Sequence, residues 1–108
     1  MPVITITVGD HPALTELLTS VADSVARSLE LSDGDVIATS VPASTFVASG
    51  GAILTGWPVV SIHGSDRGEA ASRAARAAAA GAVADWASAH SIEFEGVWTE
   101  WVPPHPLP

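Results

Sequence analysis

A proline follows the first methionine directly, as Met1-Pro2. Methionine is expected to be removed before so small a residue, and Pro2 would then carry a free secondary amine. An α-amino group titrates at about 7.7–8.0 in water. Burial in an apolar pocket disfavours the ammonium form and lowers that value. The amine then becomes a usable general base near neutral pH, and its ring fixes the direction of the lone pair. Pro58 cannot act this way, because its nitrogen lies inside a peptide bond. Arg67 is the second residue with distinctive chemistry. It stands in Gly64-Ser65-Asp66-Arg67-Gly68, just ahead of an alanine-rich segment. There a guanidinium and the first amides of a helix could bind a carboxylate or an enolate oxygen. The plainer alternatives are a strand-opening proline and a solvated turn arginine.

Other candidates are weaker. Glu93 and Glu95 alternate as they would on one strand face, so they could form an acid/base pair or simply a solvated wall. His11, His63, His90 and His105 lack metal-ligand spacing, and there is no cysteine to help them. No metal and no cofactor are expected. Gly50-Gly51 is not followed by the Gly-Lys-Ser/Thr of a phosphate loop. Glu69 and Arg73 form a favourable i,i+4 pair, and Arg76 continues that face, which reads as structural. Trp98 and Trp101 could line a pocket, or pack between subunits.

The chain has 108 residues, which suits one domain, 1–108. Its 47% hydrophobic content excludes intrinsic disorder. No apolar run approaches the length of a membrane span. Without cysteine there are no disulfides and no thiol nucleophile. Four arginines and no lysine stand against 12 acidic residues, for a formal charge of −8. That balance argues against a nucleic-acid partner and against an anionic membrane surface. No basic stretch precedes an apolar one at the N-terminus. A cytoplasmic protein is therefore expected.

Four strands and two helices must position these residues. Val3–Val8 alternates with period two and is β-branched, which predicts a strand. Asp10 or His11 could cap a helix, whose apolar face repeats through Leu14, Leu17, Leu18, Val21, Val25 and Leu29. Val36–Val41 predicts a second strand. Pro42–Gly56 reads as a loop around Ser49-Gly50-Gly51. Trp57–His63 predicts a third strand. Asp66 and Glu69 have capping-box spacing, and a helix is expected from Glu69 to Ala89, anchored by Val83 and Trp86. Ile92–Trp98 predicts a fourth strand. The tail Pro103–Pro108 can join neither a helix nor a central strand.

The order is βαβ followed by βαβ, and an internal repeat supports it. At an offset of 56, Pro2-Val3 falls on Pro58-Val59, Ile6 on Ile62, Asp10 on Asp66, Ala22 on Ala78, Ala26 on Ala82 and Val41 on Val97. The units would cover about residues 2–56 and 57–102, with 103–108 as a tail. Ile4, Ile6, Val60, Ile62, Val36, Ile92 and Phe94 would share the sheet face under the helices. Thr5, Thr7, Ser61, His63, Thr39, Glu93 and Glu95 would share the other face. That face is too polar for a dry core and too β-prone for loops. Neighbouring subunits or a solvated channel would explain both.

These residues resemble the tautomerase superfamily, which includes 4-oxalocrotonate tautomerase, 5-carboxymethyl-2-hydroxymuconate isomerase and macrophage migration inhibitory factor. Three features carry the likeness. They are Met1-Pro2 opening the first strand, Phe46 shortly before Gly50-Gly51, and Pro58–His63 followed by Asp66-Arg67-Gly68. The resemblance covers about residues 2–102. It implies an α+β two-layer sandwich of two tandem βαβ units, assembling as a homotrimer, with the site between subunits. It implies that Pro2 moves a proton between carbon and an enol oxygen, that Arg67, Phe46 and Trp101 bind substrate, and that Phe46 keeps Pro2 desolvated. The partner is then a small 2-oxo or enol acid, and the protein a keto–enol tautomerase.

Departures from the family pattern bear on the substrate. Asp35 and Ser91 stand where short members place an arginine at the start of the second strand, and Asp10-His11 where they place the turn arginine. At most one family arginine, Arg67, is retained, which counts against substrates with two carboxylates. Other members use the same proline to dehalogenate or decarboxylate. A non-catalytic trimeric binding subunit is the remaining alternative.

Overall fold

The structure is a computed structural model, and it describes residues 1–54 and 56–104. In chain order it contains β1 (Val3–Gly9), α1 (Leu14–Ser28), β2 (Ile37–Ala43), the short strands β3 (Phe46–Val47) and β4 (Ile53–Leu54), β5 (Val59–His63), α2 (Glu69–Ala89) and β6 (Trp98–Val102). The main sheet runs β2-β1-β5-β6. Within each βαβ unit the strands are parallel, and the units join antiparallel through β1 and β5. This is the expected α+β arrangement of two tandem βαβ units. β3 and β4 form a separate antiparallel hairpin, and Gly50 and Gly51, with φ of 90° and 93°, make its turn.

Period-two alternation sets the faces. Ile4, Ile6, Val60 and Ile62 are fully buried under the helices, against Leu17, Val21 and Val25 of α1 and Ala75, Ala79 and Val83 of α2. The small alanines let α2 lie close to the sheet. Trp86, 3% exposed, ties the two units together, because its indole N–H donates to the Ala13 carbonyl at 3.1 Å. The opposite face carries three rows across the four strands. Thr39, Thr5, Ser61 and Glu100 form the central row. Ile37, Val3, His63 and Val102 flank it on one side, and Val41, Thr7, Val59 and Trp98 on the other.

Both helices end alike. Glu30 and Ser91 take left-handed φ values of 57° and 56°. The N–H of Leu31 reaches back to Ala26, and that of Ile92 to Ala87, which completes a Schellman closure at each end.

The fourth strand is β6 at Trp98–Val102, not Ile92–Trp98. Val3 pairs with Ile37 and Val59 with Trp98, so the repeat offset is 56 at the first strands and 61 at the second. α2 absorbs the difference with 21 residues against 15 in α1. The matches of Val36 with Ile92 and of Val41 with Val97 are therefore not structural equivalences. Ile92 and Phe94 do pack against the core, but from the connection after α2. Glu93 and Glu95 share that connection and are not on the open sheet face. Glu100 holds that place, accepting a 2.6 Å hydrogen bond from the Ser61 hydroxyl. Smaller shifts affect β2, which starts at Ile37, and β5, which starts at Val59. The expected tail is described only at Pro103 and Pro104, both exposed; His105 to Pro108 lie outside the described residues.

Candidate functional site

Pro2 sits immediately before β1 and is fully buried. It has no N–H to leave unsatisfied, and its carbonyl accepts from the Ile37 N–H at 3.2 Å. Pro58 repeats the arrangement before β5, buried, its carbonyl accepting from the Trp98 N–H at 2.9 Å. Met1 is 70% exposed. It lines an open cleft of about 320 Å³ with His63, Gly64, Ser65, Val102, Pro103 and Pro104.

Antiparallel pairing of Val3 with His63 brings the end of β5 beside Pro2. Gly64 follows at once and is the meeting point of the site. A Cβ on Gly64 would stand 3.0 Å from Cζ2 of Trp101 and 3.7 Å from Cα of Pro2. Trp101 is on the helix side of β6, opposite Ile62. It also lines a second cleft of about 210 Å³, with Asp66, Gly68, Glu69, Ser72 and Pro103. Its indole N–H is buried and has no hydrogen-bond partner among the described residues.

Arg67 lies in the loop between β5 and α2, exposed. No carboxylate pairs with it among the described residues. The expected capping box does not form. Gly68, with φ of 89°, is the N-cap. Asp66 closes a turn instead, its Oδ1 accepting from the Gly68 N–H at 2.9 Å. Glu69 turns to Arg73 and Arg76, at 3.5 and 3.3 Å from the same carboxylate oxygen. Arg76 is also held through its Nε by the carbonyl and hydroxyl of Ser72, both at 3.3 Å.

Pro2, Trp101 and the Arg67 loop thus share one end of the sheet. Phe46 does not join them within the chain. Its ring packs on Gly56 and Gly9, 3.1 and 3.8 Å from the Cβ positions those residues lack. Gly9 ends β1 and Pro2 precedes it, so the two lie seven residue steps apart, roughly 23 Å at about 3.3 Å per residue.

The residues at the departures have structural duties. Asp35 closes a turn, its Oδ2 accepting from the Ser32 N–H at 3.0 Å. Ser91 supplies the left-handed position after α2. His11 Nδ1 accepts from the Ala13 N–H at 3.0 Å, and its ring lies 4.9 Å from Trp86 and 5.0 Å from His90. No cluster among the described residues could hold a metal ion. Sequence reasoning missed Gly64 and the double hold of Glu69. The i,i+4 and i,i+7 spacings of Glu69, Arg73 and Arg76 carried the second; a lone glycine after a strand gave little sign of the first.

No family model matches the sequence, and no curated protein matches it significantly. Solved structures do resemble it. A fused 4-OT (W0), described as a wild-type symmetric trimer, superposes with a TM-score of 0.73 at 11% identity, over 96% of this chain and 88% of that one. A macrophage migration inhibitory factor-like protein from Entamoeba histolytica gives 0.70 at 7% identity, over 95% and 88%. A malonate semialdehyde decarboxylase gives 0.65 at 13% identity, over 94% and 84%. Paired βαβ units, a buried proline heading the first strand and these superpositions together give the chain the fold of the tautomerase superfamily.

Proposed function

We propose that the chain is a tautomerase acting on a small 2-oxo or enol acid, with Pro2 as its acid/base once Met1 is removed. The observation that carries this reading is the burial of Pro2 beside Gly64 and Trp101, at the end of the sheet that also bears Arg67. The neutral amine takes a proton from the carbon next to the keto group. The C–H electron pair becomes the carbon–carbon double bond, and the carbonyl oxygen becomes an enolate. The ammonium then returns its proton to that oxygen, giving the enol; ketonisation is the reverse. Arg67 holds the carboxylate, and Trp101 walls the cleft.

The proposed assembly is a homotrimer. Val3, Ile37, Val41 and Trp98 share the open sheet face and are 39%, 48%, 51% and 61% exposed. Such a surface invites burial against another subunit. Phe46 would then reach Pro2 from a neighbouring copy and exclude water.

Decarboxylation of a β-keto acid by the same proline is the second reading. The malonate semialdehyde decarboxylase among the fold neighbours and the retention of at most one family arginine, Arg67, favour keeping it. Intact mass, with ketonisation of phenylenolpyruvate and decarboxylation of malonate semialdehyde, tests both on wild type and Pro2→Ala. Loss of Met1 and a sharp fall in either reaction in the variant supports the corresponding reading. Retained Met1, with both proteins inert, leaves the binding-subunit alternative.

A further inference from the structure

Met1 marks where the Pro2 nitrogen faces, because removal of Met1 breaks the peptide bond to that nitrogen. Met1 lines the cleft of about 320 Å³, together with His63 and Val102. A freed amine would open onto that cleft, whose volume suits a small-molecule ligand. The remaining walls are glycine, serine and proline, so His63 carries the one titratable side chain among the lining residues. His63 is exposed, and pairing with Val3 and Val102 sets it on the open sheet face. Its ring makes no hydrogen bond or ion pair among the described residues. Glu100 is the other titratable side chain in the rows of that face. It stands one row away and accepts the Ser61 hydroxyl.

Pro2 is held in place. It is fully buried, and its carbonyl accepts from the Ile37 N–H. A proton carrier works within about 2.6–3.2 Å of the atom it serves. In a 2-oxo acid the reacting carbon and the keto oxygen are separate atoms, two bonds apart. A lone pair fixed by a ring and by the sheet cannot point at both at once. We propose that His63 is the second proton carrier of the site, serving the keto oxygen while Pro2 serves the carbon. This rests on the reading of Pro2 as the acid/base of a tautomerase. In enolisation the Pro2 amine takes the C–H proton, and that electron pair becomes the carbon–carbon double bond. The carbonyl pair moves onto oxygen, which takes a proton from the His63 imidazolium. Water then carries a proton from the ammonium back to the imidazole. In ketonisation the neutral imidazole takes the enol proton, and the ammonium protonates the carbon. The direct return from ammonium to oxygen is then not needed.

The test is ketonisation of phenylenolpyruvate by wild type, Pro2→Ala, His63→Ala and His63→Gln, with and without added imidazole. His63→Ala should lower kcat by about 100-fold and leave KM within about threefold. His63→Gln, which keeps a hydrogen-bonding side chain but cannot be protonated, should be as slow. Imidazole, entering the space the ring leaves in His63→Ala, should raise its rate by at least about tenfold, in proportion to concentration. Thiazole, a ring of the same shape without an N–H, should not, and imidazole should not restore Pro2→Ala. Circular dichroism checks that each variant is folded. A wild-type rate in either His63 variant, with Pro2→Ala slow, overturns the proton role of His63 and leaves the Pro2 reading standing. So does a slow His63→Ala that imidazole helps no more than thiazole. A wild type no faster than Pro2→Ala overturns the tautomerase reading and this proposal together.

Discussion

The indole of Trp101 lies against Gly64, so close that a methyl group there would stand 3.0 Å from Cζ2 and 3.4 Å from Cη2. Gly64 follows the strand residue paired with Val3, so a side chain there would touch both Trp101 and Pro2. Gly64→Ala should displace Trp101 and lower turnover by about tenfold or more, through misplacement of the reacting groups. The fold should persist. Steady-state kinetics with tryptophan fluorescence checks this, and unchanged kinetics with a shifted emission would separate Trp101 from the chemistry.

Pro2→Ala replaces a secondary amine by a more flexible primary one. A positioned acid/base contributes typically about 10²–10⁴-fold, so kcat should fall by at least about 100-fold with little change in thermal midpoint. Pro58→Ala should leave the kinetics unaltered, because Pro58 has no basic lone pair.

Trp98 is the most exposed large hydrophobic side chain of the open sheet face, at 61%. Trp98→Glu places a charge in the surface proposed to join subunits. Light scattering should show a smaller species than wild type, at unchanged helix content. A wild-type protein that already runs as a monomer defeats the trimer proposal.

Glu30 and Ser91 both carry positive φ after a helix. A non-glycine residue there costs roughly 1 kcal/mol. Glu30→Gly and Ser91→Gly should each raise stability by about 0.5–1 kcal/mol in urea unfolding.

Trp86→Ala removes a ring buried between the units and its bond to the Ala13 carbonyl. A loss of about 3–5 kcal/mol is expected from the cavity, and Trp86→Phe should recover much of it.

The first halves of both units were legible in the sequence because their signals are strong. Val3–Val8 alternates cleanly, α1 has a well-spaced leucine and valine face, and Pro2-Val3 maps onto Pro58-Val59. The second halves were harder for a physical reason. α2 is so uniformly alanine that its six residues beyond the length of α1 leave no mark on its periodicity. Ile92 and Phe94 alternate like strand residues because a packed connection can also bury every second side chain. The misplaced fourth strand then put Glu93 and Glu95 on a face that belongs to Glu100. At the site, Pro2 and the Arg67 turn were visible as residue types. Their convergence on Gly64 was not, since it depends on the antiparallel junction of β1 with β5, which pairs residues 52 to 60 apart.

The two prolines also make the molecule its own comparison. Pro2 and Pro58 head equivalent strands, are equally buried, and each give the sheet only a carbonyl. Releasing Met1 therefore removes no ladder donor, and the strand can acquire a reactive terminus without being rebuilt. The same subunit keeps a permanently capped twin at Pro58. Any property that distinguishes the two nitrogens reports the chemistry of a free terminus against an internal reference held in nearly the same scaffold.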